Sequence, residues 1–223
     1  MAGTLKLYSY WRSSASYRAR LALAYKGLAY ETVPVHLLQD GGEQNAPAYR
    51  ALNPQGRVPL LVDGDFRLSQ SLAIFDYLDG RWPSPRLFPV EPKARARMLA
   101  ICHLMSADIQ PFHNLSTLNY LAKAGWDQAA RDAWCRHWVE RGLAAVVAEL
   151  EGHPETACLL GEEPSAADCV LVPQLYAAPR YGTDVARLFP RLAAVAQRLN
   201  ARADFASAHP DRQPDATPPG KAP

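Results

Sequence analysis

An apolar strand ending at Tyr8-Ser9-Tyr10 runs into the turn Trp11-Arg12-Ser13-Ser14-Ala15-Ser16, which opens a helix continuing through Leu23. The first turn of a helix has backbone N–H groups with no partner inside the helix, and here hydroxyls stand beside them. The same end carries a partial positive charge, so the turn is suited to seat an anion, a thiolate included. Many α/β proteins have such a turn, and the segments downstream narrow the choice.

Asn53-Pro54-Gln55-Gly56-Arg57-Val58-Pro59-Leu60-Leu61-Val62-Asp63-Gly64 is followed by Phe66-Arg67-Leu68-Ser69-Gln70-Ser71-Leu72-Ala73-Ile74. A Val-Pro step at the start of a strand predicts an edge position or a cis peptide, because proline donates nothing to a ladder and tolerates the cis form. Asp63-Gly64 predicts a hairpin turn, and Gln70-Ser71 the start of a helix beside the sheet. The order strand, helix, strand, helix, proline, strand, strand, helix is that of an α/β thioredoxin-like domain.

At Pro83-Ser84-Pro85-Arg86-Leu87-Phe88-Pro89 the character changes. This stretch reads as a linker, and beyond it the pattern is helical, over 91–124, 126–151, 165–179 and 189–202. The expected organisation is a thioredoxin-like domain over 1–82, a linker over 83–90, an all-α helical domain over 91–209 and a tail over 210–223 too rich in Pro, Asp and Gly to order itself. Ser165-Ala166-Ala167-Asp168 predicts a capping box at the head of an apolar helix.

A chain of 223 residues has room for two domains. Its 24 Lys and Arg against 22 Asp and Glu argue against nucleic acid or a polybasic membrane surface as partner. Without an apolar run of spanning length or a signal-peptide pattern, a cytoplasmic enzyme is expected. Cys102, Cys135, Cys158 and Cys169 are widely spaced, and the six histidines form no i,i+4 pair. Reduced, buried thiols and no metal site are therefore expected.

Two further segments have two readings each. Asp108-Ile109-Gln110-Pro111-Phe112-His113-Asn114-Leu115-Ser116 breaks a helix at proline; it is either a bent helix whose freed carbonyls are satisfied by Asn114 or Ser116, or a polar cluster for a ligand. Arg180, in Ala178-Pro179-Arg180-Tyr181, is on the residues alone a solvated cation at a helix end, and gains its second reading from a family resemblance.

The Ser-Ser-x-Ser-aromatic-Arg-x-Arg turn, the segment from Ala51-Leu52-Asn53-Pro54 to Val58-Pro59, and Gln70-Ser71-Leu72-Ala73-Ile74 resemble the glutathione transferases, and within them the zeta class, which contains the maleylacetoacetate isomerases. The resemblance covers nearly the whole chain. It implies a homodimer that binds glutathione through Ser13, Ser14, Ala15, Gln44, Val58, Gln70, Ser71, Gln110, Asn114 and Ser116, with Arg12 and Arg180 facing the carboxylates of the substrate. Ser13 and Ser14 are the implied catalytic hydroxyls, and the sequence does not choose between them. The implied reaction, a step of tyrosine and phenylalanine degradation, is cis–trans isomerisation of maleylacetoacetate to fumarylacetoacetate by transient addition of the glutathione thiolate. Ala15 departs from the class pattern, which has cysteine there; the attacking sulfur belongs to glutathione, so the loss is tolerable. The alternatives are a maleylpyruvate isomerase, a class this chain resembles less at Gln110-Pro111, a broad transferase or α-haloacid dehalogenase, and a non-catalytic binding protein of the same fold.

Overall fold

The computed structural model describes residues 4–216. The chain divides into two compact units, one of Phe88–Ala201 and one made of the residues on either side of it.

The first unit has strands β1 (Leu5–Ser9), β2 (Tyr30–Pro34), β3 (Leu60–Asp63) and β4 (Phe66–Ser69), with helices α1 (Ser14–Tyr25), α2 (Pro47–Leu52) and α3 (Ser71–Arg81). The sheet order is β2-β1-β3-β4, with β1 parallel to β2, and β3 antiparallel to both β1 and β4. In β1 the side chains of Leu5, Leu7 and Ser9 are buried in strict alternation, the period of a pleated strand. In α3 the buried positions are Ser71, Ile74, Phe75, Leu78 and Asp79, the stripe of a helix lying on a core. This is the thioredoxin-like arrangement, with the Val58-Pro59 peptide cis and a turn through Gly64 joining β3 to β4.

One buried charge pair ties α1 and α3 to the chain leaving the unit. Lys26, at the end of α1, donates from Nζ to Asp79 at 2.9 Å and to the carbonyls of Trp82 and Pro85 at 2.7 and 2.8 Å. Asp79 also accepts the N–H of Leu87 at 2.7 Å. The expected linker over 83–90 is therefore hydrogen-bonded to the first unit as far as Leu87.

The second unit is helical: α4 (Pro92–Ala107), α5 (Leu115–Lys123), α6 (Gln128–Glu149), α7 (Ala166–Ala177), α8 (Val185–Leu188) and α9 (Pro190–Asn200). Almost every residue of α7 is buried, and α4 and α9 pack against it. The predicted capping box is present at its head, where Asp168 accepts from the N–H and hydroxyl of Ser165 at 2.9 and 2.7 Å. Two expectations need correction. The segment expected as one helix over 91–124 is two helices, because Pro111 lacks an N–H and its ring collides with the carbonyl four residues back, so α4 stops at Ala107. A short 3-10 turn, Gln110–His113, fills the gap.

The second correction concerns the C-terminal side. The helical unit ends at Ala201, short of the expected 209, and the chain returns to the first unit as α10 (Ala203–Ser207), packed on α1. Residues 210–216 of the expected unordered tail carry a 3-10 turn, Pro210–Arg212, and lie against the first unit. Composition correctly shows that this segment cannot pack on itself, but it borrows order from partners far away in sequence. The remainder of that expectation, 217–223, lies outside the described residues.

The buried pair supplies a test of the first unit. Asp79→Ala leaves an ammonium enclosed with only carbonyl partners and is expected to lower the unfolding free energy by about 3–5 kcal/mol, read by urea denaturation.

Candidate active site

The strand registers bring the predicted residues of the first unit to one end of the sheet. Tyr8 pairs with Leu60, and Leu60 with Ser69. Two residues further along these registers, Tyr10, Val58 and Ser71 stand abreast, past the last paired positions. The carboxyl ends of β1, β2 and β4 open on this edge, where α/β folds commonly bind ligands.

At the end of β1 the backbone turns sharply. The N–H of Ser13 donates to the carbonyl of Tyr10 at 3.0 Å, and the Oγ of Ser13 accepts the N–H of Ser16 at 3.2 Å, which makes Ser13 the N-cap of α1. Ser14 and Ala15 are the first two helical residues, and their N–H groups have no partner among the described residues. The hydroxyl proton of Ser13 is not used by the cap. Arg12 lies half-buried with its guanidinium carbon 5.6 Å from the centre of the Trp11 ring.

Behind the turn, Arg20 is fully buried. Its guanidinium donates to the hydroxyl of Ser9 and to the carbonyls of Tyr10, Trp11 and Ala208, at 2.9 to 3.4 Å. Sequence reading singled out Arg12 and passed over Arg20, since nothing local distinguishes a basic residue that will be enclosed.

Across the edge, the carbonyl of Arg57 accepts from the Tyr49 hydroxyl at 2.6 Å and from the Asn53 amide at 2.7 Å. Burial pushes the Tyr49 phenol up to about 12, so it remains a donor. A peptide is planar with its C=O and N–H opposed. The grip on Arg57 therefore turns the N–H of Val58 the other way, toward the open edge.

Gln70 and Ser71 begin α3 as expected, with Gln70 at the N-cap position but no capping bond from its side chain. Its backbone is at φ 72, ψ 114, and its amide donates to Gln55 at 2.9 Å. A side chain in this region is strained by about 1–3 kcal/mol, and such strain collects at ligand sites. Gln44 donates to the carbonyl of Leu37 at 3.3 Å and keeps its Oε1 buried without a partner among the described residues.

In the second unit the expected cluster is also partly assembled. Of the bonds expected from Asn114 and Ser116, one is present through the backbone: the Asn114 N–H donates to the carbonyl of Pro111 at 3.3 Å. Pro111 accepts from Thr117, Phe112 from Trp134 Nε1 and His113 from the Tyr181 hydroxyl, at 2.7, 2.9 and 3.4 Å. The Asn114 side chain caps α5, accepting from the N–H and hydroxyl of Ser116, both at 3.1 Å. Arg180 is exposed in the 3-10 turn Ala178–Tyr181. The buried pair His113–Gln174 and the Tyr181 bond stitch that turn to the Gln110–Ser116 segment. Close approach at this place requires Gly142, since a Cβ there would overlap the side chain of Ile109.

None of the four cysteines lies at the serine turn. All are buried free thiols, and burial pushes Cys135 up to about 12. Any thiol activated at the turn has to be brought by a ligand.

Gln70→Gly relieves the positive φ and is expected to raise the unfolding free energy by about 1 kcal/mol, measured by urea titration, while removing the side chain from the edge.

The N-terminal domain model of glutathione S-transferase matches residues 3–80, and the C-terminal domain model matches 116–203. A maleylacetoacetate isomerase of Pseudomonas aeruginosa is 49% identical over 212 residues, covering 95% of this chain and 98% of the relative. The chain superposes with a TM-score of 0.91 on the holo structure of a maleylpyruvate isomerase described as a bacterial zeta-class enzyme, at 39% identity over 95% of this chain and 100% of the other. A maleylacetoacetate isomerase from Anaeromyxobacter dehalogenans, solved with glutathione in its active site, gives 0.84 at 42% identity, covering 96% and 98%. With both domain models and near full-length relatives in agreement, the chain belongs to the glutathione S-transferase family, in its zeta class.

Proposed function

We propose that this chain is a glutathione-dependent isomerase that converts maleylacetoacetate to fumarylacetoacetate. One observation carries the reading: a helix start offers a hydroxyl and two unpartnered N–H groups to an anion, with no cysteine of the protein beside it. The name of the Pseudomonas relative supports the substrate.

Rotation about a carbon–carbon double bond requires that the bond become single for a moment. Glutathione thiolate adds to the olefinic carbon β to a conjugated carbonyl, and the π electrons move into an enolate. The new single bond rotates; the enolate re-forms the double bond in the trans arrangement and expels the thiolate. No atom is gained or lost. The protein has to stabilise the thiolate before attack and bind a dicarboxylate.

Ser13 is assigned as the activating hydroxyl. Its oxygen already accepts the Ser16 N–H, and a hydroxyl polarised in this way is a stronger donor. The N–H groups of Ser14 and Ala15 add to the field that lowers the thiol pKa. Val58 is assigned to the cysteinyl backbone of glutathione, as a strand edge pairs with an extended peptide. Gln70 and Ser71 are assigned to its γ-glutamyl carboxylate, Gln44 to the glycyl end, and Gln110, Asn114 and Ser116 to the remaining polar contacts. Arg12 and Arg180 are assigned to the substrate carboxylates, whose two oxygens match a guanidinium fork.

The same reading includes a homodimer, for which the exposed Phe66 on the edge strand β4 is a candidate contact. It also includes a cytoplasmic location, consistent with four free thiols. No helix among the described residues is long and apolar enough to cross a membrane. A second reading, maleylpyruvate as substrate, is favoured by the superposition on a maleylpyruvate isomerase.

Assay of both substrates with glutathione decides between them: kcat/KM is expected to be higher for maleylacetoacetate, and the reverse order reassigns the substrate. Turnover of dichloroacetate alone makes the chain a dehalogenase. Ser13→Ala is expected to lower kcat about ten- to a hundredfold, since a hydrogen bond to a charged group contributes about 1.5–3 kcal/mol. It also loses the cap, at about 1 kcal/mol of stability by urea titration. Ser14→Ala is expected to do less on both counts, and full activity in the double variant sinks the assignment.

Arg180→Ala is expected to raise KM for the dicarboxylate with little change in glutathione affinity measured by calorimetry. Arg180→Lys recovers charge without the fork and so only part of the activity. Equal damage to both ligands gives Arg180 a structural role instead.

A further inference from the structure

The peptide between Tyr10 and Trp11 is held at both ends by opposite charges. Its N–H, on Trp11, donates to Asp215 Oδ2 at 2.9 Å; its C=O, on Tyr10, accepts from Arg20 Nη1 at 3.4 Å. The next carbonyl, of Trp11, accepts from Arg20 Nη2 at 2.9 Å. Arg20 also holds the carbonyl of Ala208, and Ala216 packs against the cluster of Tyr10, Trp11, Val35, Tyr49 and Val58. The C-terminal segment is thus fastened on either side of Asp215.

The Asp215 contact has an unusual composition. The Trp11 bond is the only hydrogen bond the Asp215 side chain makes among the described residues, and its Oδ1 is buried without a partner. A buried carboxylate oxygen with no donor is unfavourable, and a backbone carbonyl or an amide would hold one N–H at less cost. What a carboxylate adds is strength, because hydrogen bonds to an ionised acceptor are about twice as strong as neutral ones. The peptide it grips ends in the carbonyl of Tyr10, which accepts the Ser13 N–H and so closes the turn that presents the Ser13 hydroxyl. Trp11 in turn supports the guanidinium of Arg12.

We propose that Asp215 is a positioning residue for the thiol-activating turn: with Arg20 it forms a two-charge clamp that fixes the orientation of the Tyr10–Trp11 peptide and through it the aim of Ser13. The inference rests on the assignment of that turn to glutathione. It adds a C-terminal residue, 204 positions from its partner, to the parts the reaction depends on.

The test separates the clamp from the chemistry. In ligand-free full-length protein, Asp215→Ala is expected to speed amide exchange at Trp11, Ser13 and Ser16 by about tenfold or more, at a temperature where circular dichroism is unchanged. With glutathione bound, the thiol pKa read from thiolate absorbance is expected to rise by about one unit, a tenfold loss of thiolate, and kcat to fall accordingly. Asp215→Asn keeps an acceptor for Trp11 without its charge and is expected to recover only part of the protection and of the pKa shift. A residue that merely stabilises the fold lowers the melting temperature and leaves the thiol pKa alone in folded protein. Unchanged exchange at these three amides, or an unchanged thiol pKa in folded Asp215→Ala, overturns the proposal. If wild-type protein fails to lower the thiol pKa at all, the assignment of the turn fails, and the exchange rates still decide whether the clamp exists.

Discussion

A single enclosed guanidinium organises the business end of the first unit. Arg20 is buried completely, and the oxygens of Ser9, Tyr10, Trp11 and Ala208 that it holds belong to segments that have to be in place before the turn at Ser13 has a defined shape: the end of β1, the two residues after it, and the chain that returns after α10. Burying such a charge is expensive unless its donors are satisfied, and breaking the set leaves an uncompensated cation. The arrangement is therefore close to all-or-none. Strand end, turn and C-terminal segment form together, which gives the helix start a fixed backdrop against which a ligand anion can be held.

The fold was legible because its signals are local. Alternation in β1, the Asp63-Gly64 turn, the Val58-Pro59 step and the helix start at Ser71 each depend on a few adjacent residues. The capping box from Ser165 to Asp168 was legible for the same reason. The partners that aim these pieces were not. Asn53 reads as a turn residue beside Pro54, yet its amide controls the Arg57 carbonyl and so the direction of the Val58 N–H. Gln70 has a positive φ that nothing in its side chain announces. Arg20 and Asp215 depend on contacts spanning most of the chain, and a segment rich in proline looks unordered until its anchor points are known.

In the second unit the proline break was visible, whereas its consequence was not. After α4 ends at Ala107, the carbonyls of Pro111, Phe112 and His113 in the turn that follows find donors in α5, α6 and the turn after α7. The segment is two helices joined by a 3-10 turn, in which Asn114 caps α5, while His113 and Tyr181 tie the Arg180 turn to the same segment. Recognition of a dicarboxylate by Arg180 would rest on that internal stitching, because the residue itself is exposed.

Ala15 has a consequence for how long such a catalyst lasts. In the proposed reaction the substrates are electrophiles, since they have to accept a thiolate, and a protein thiol in the first turn of α1 would have its pKa lowered by the N–H groups there. Such a side chain would be alkylated or captured as a mixed disulfide at some fraction of encounters. With alanine in that place and all four cysteines buried elsewhere, the turn carries no protein thiol to be lost in this way. Under the proposed reaction, a thiol spoiled by its electrophile would belong to an exchangeable ligand and not to the polypeptide.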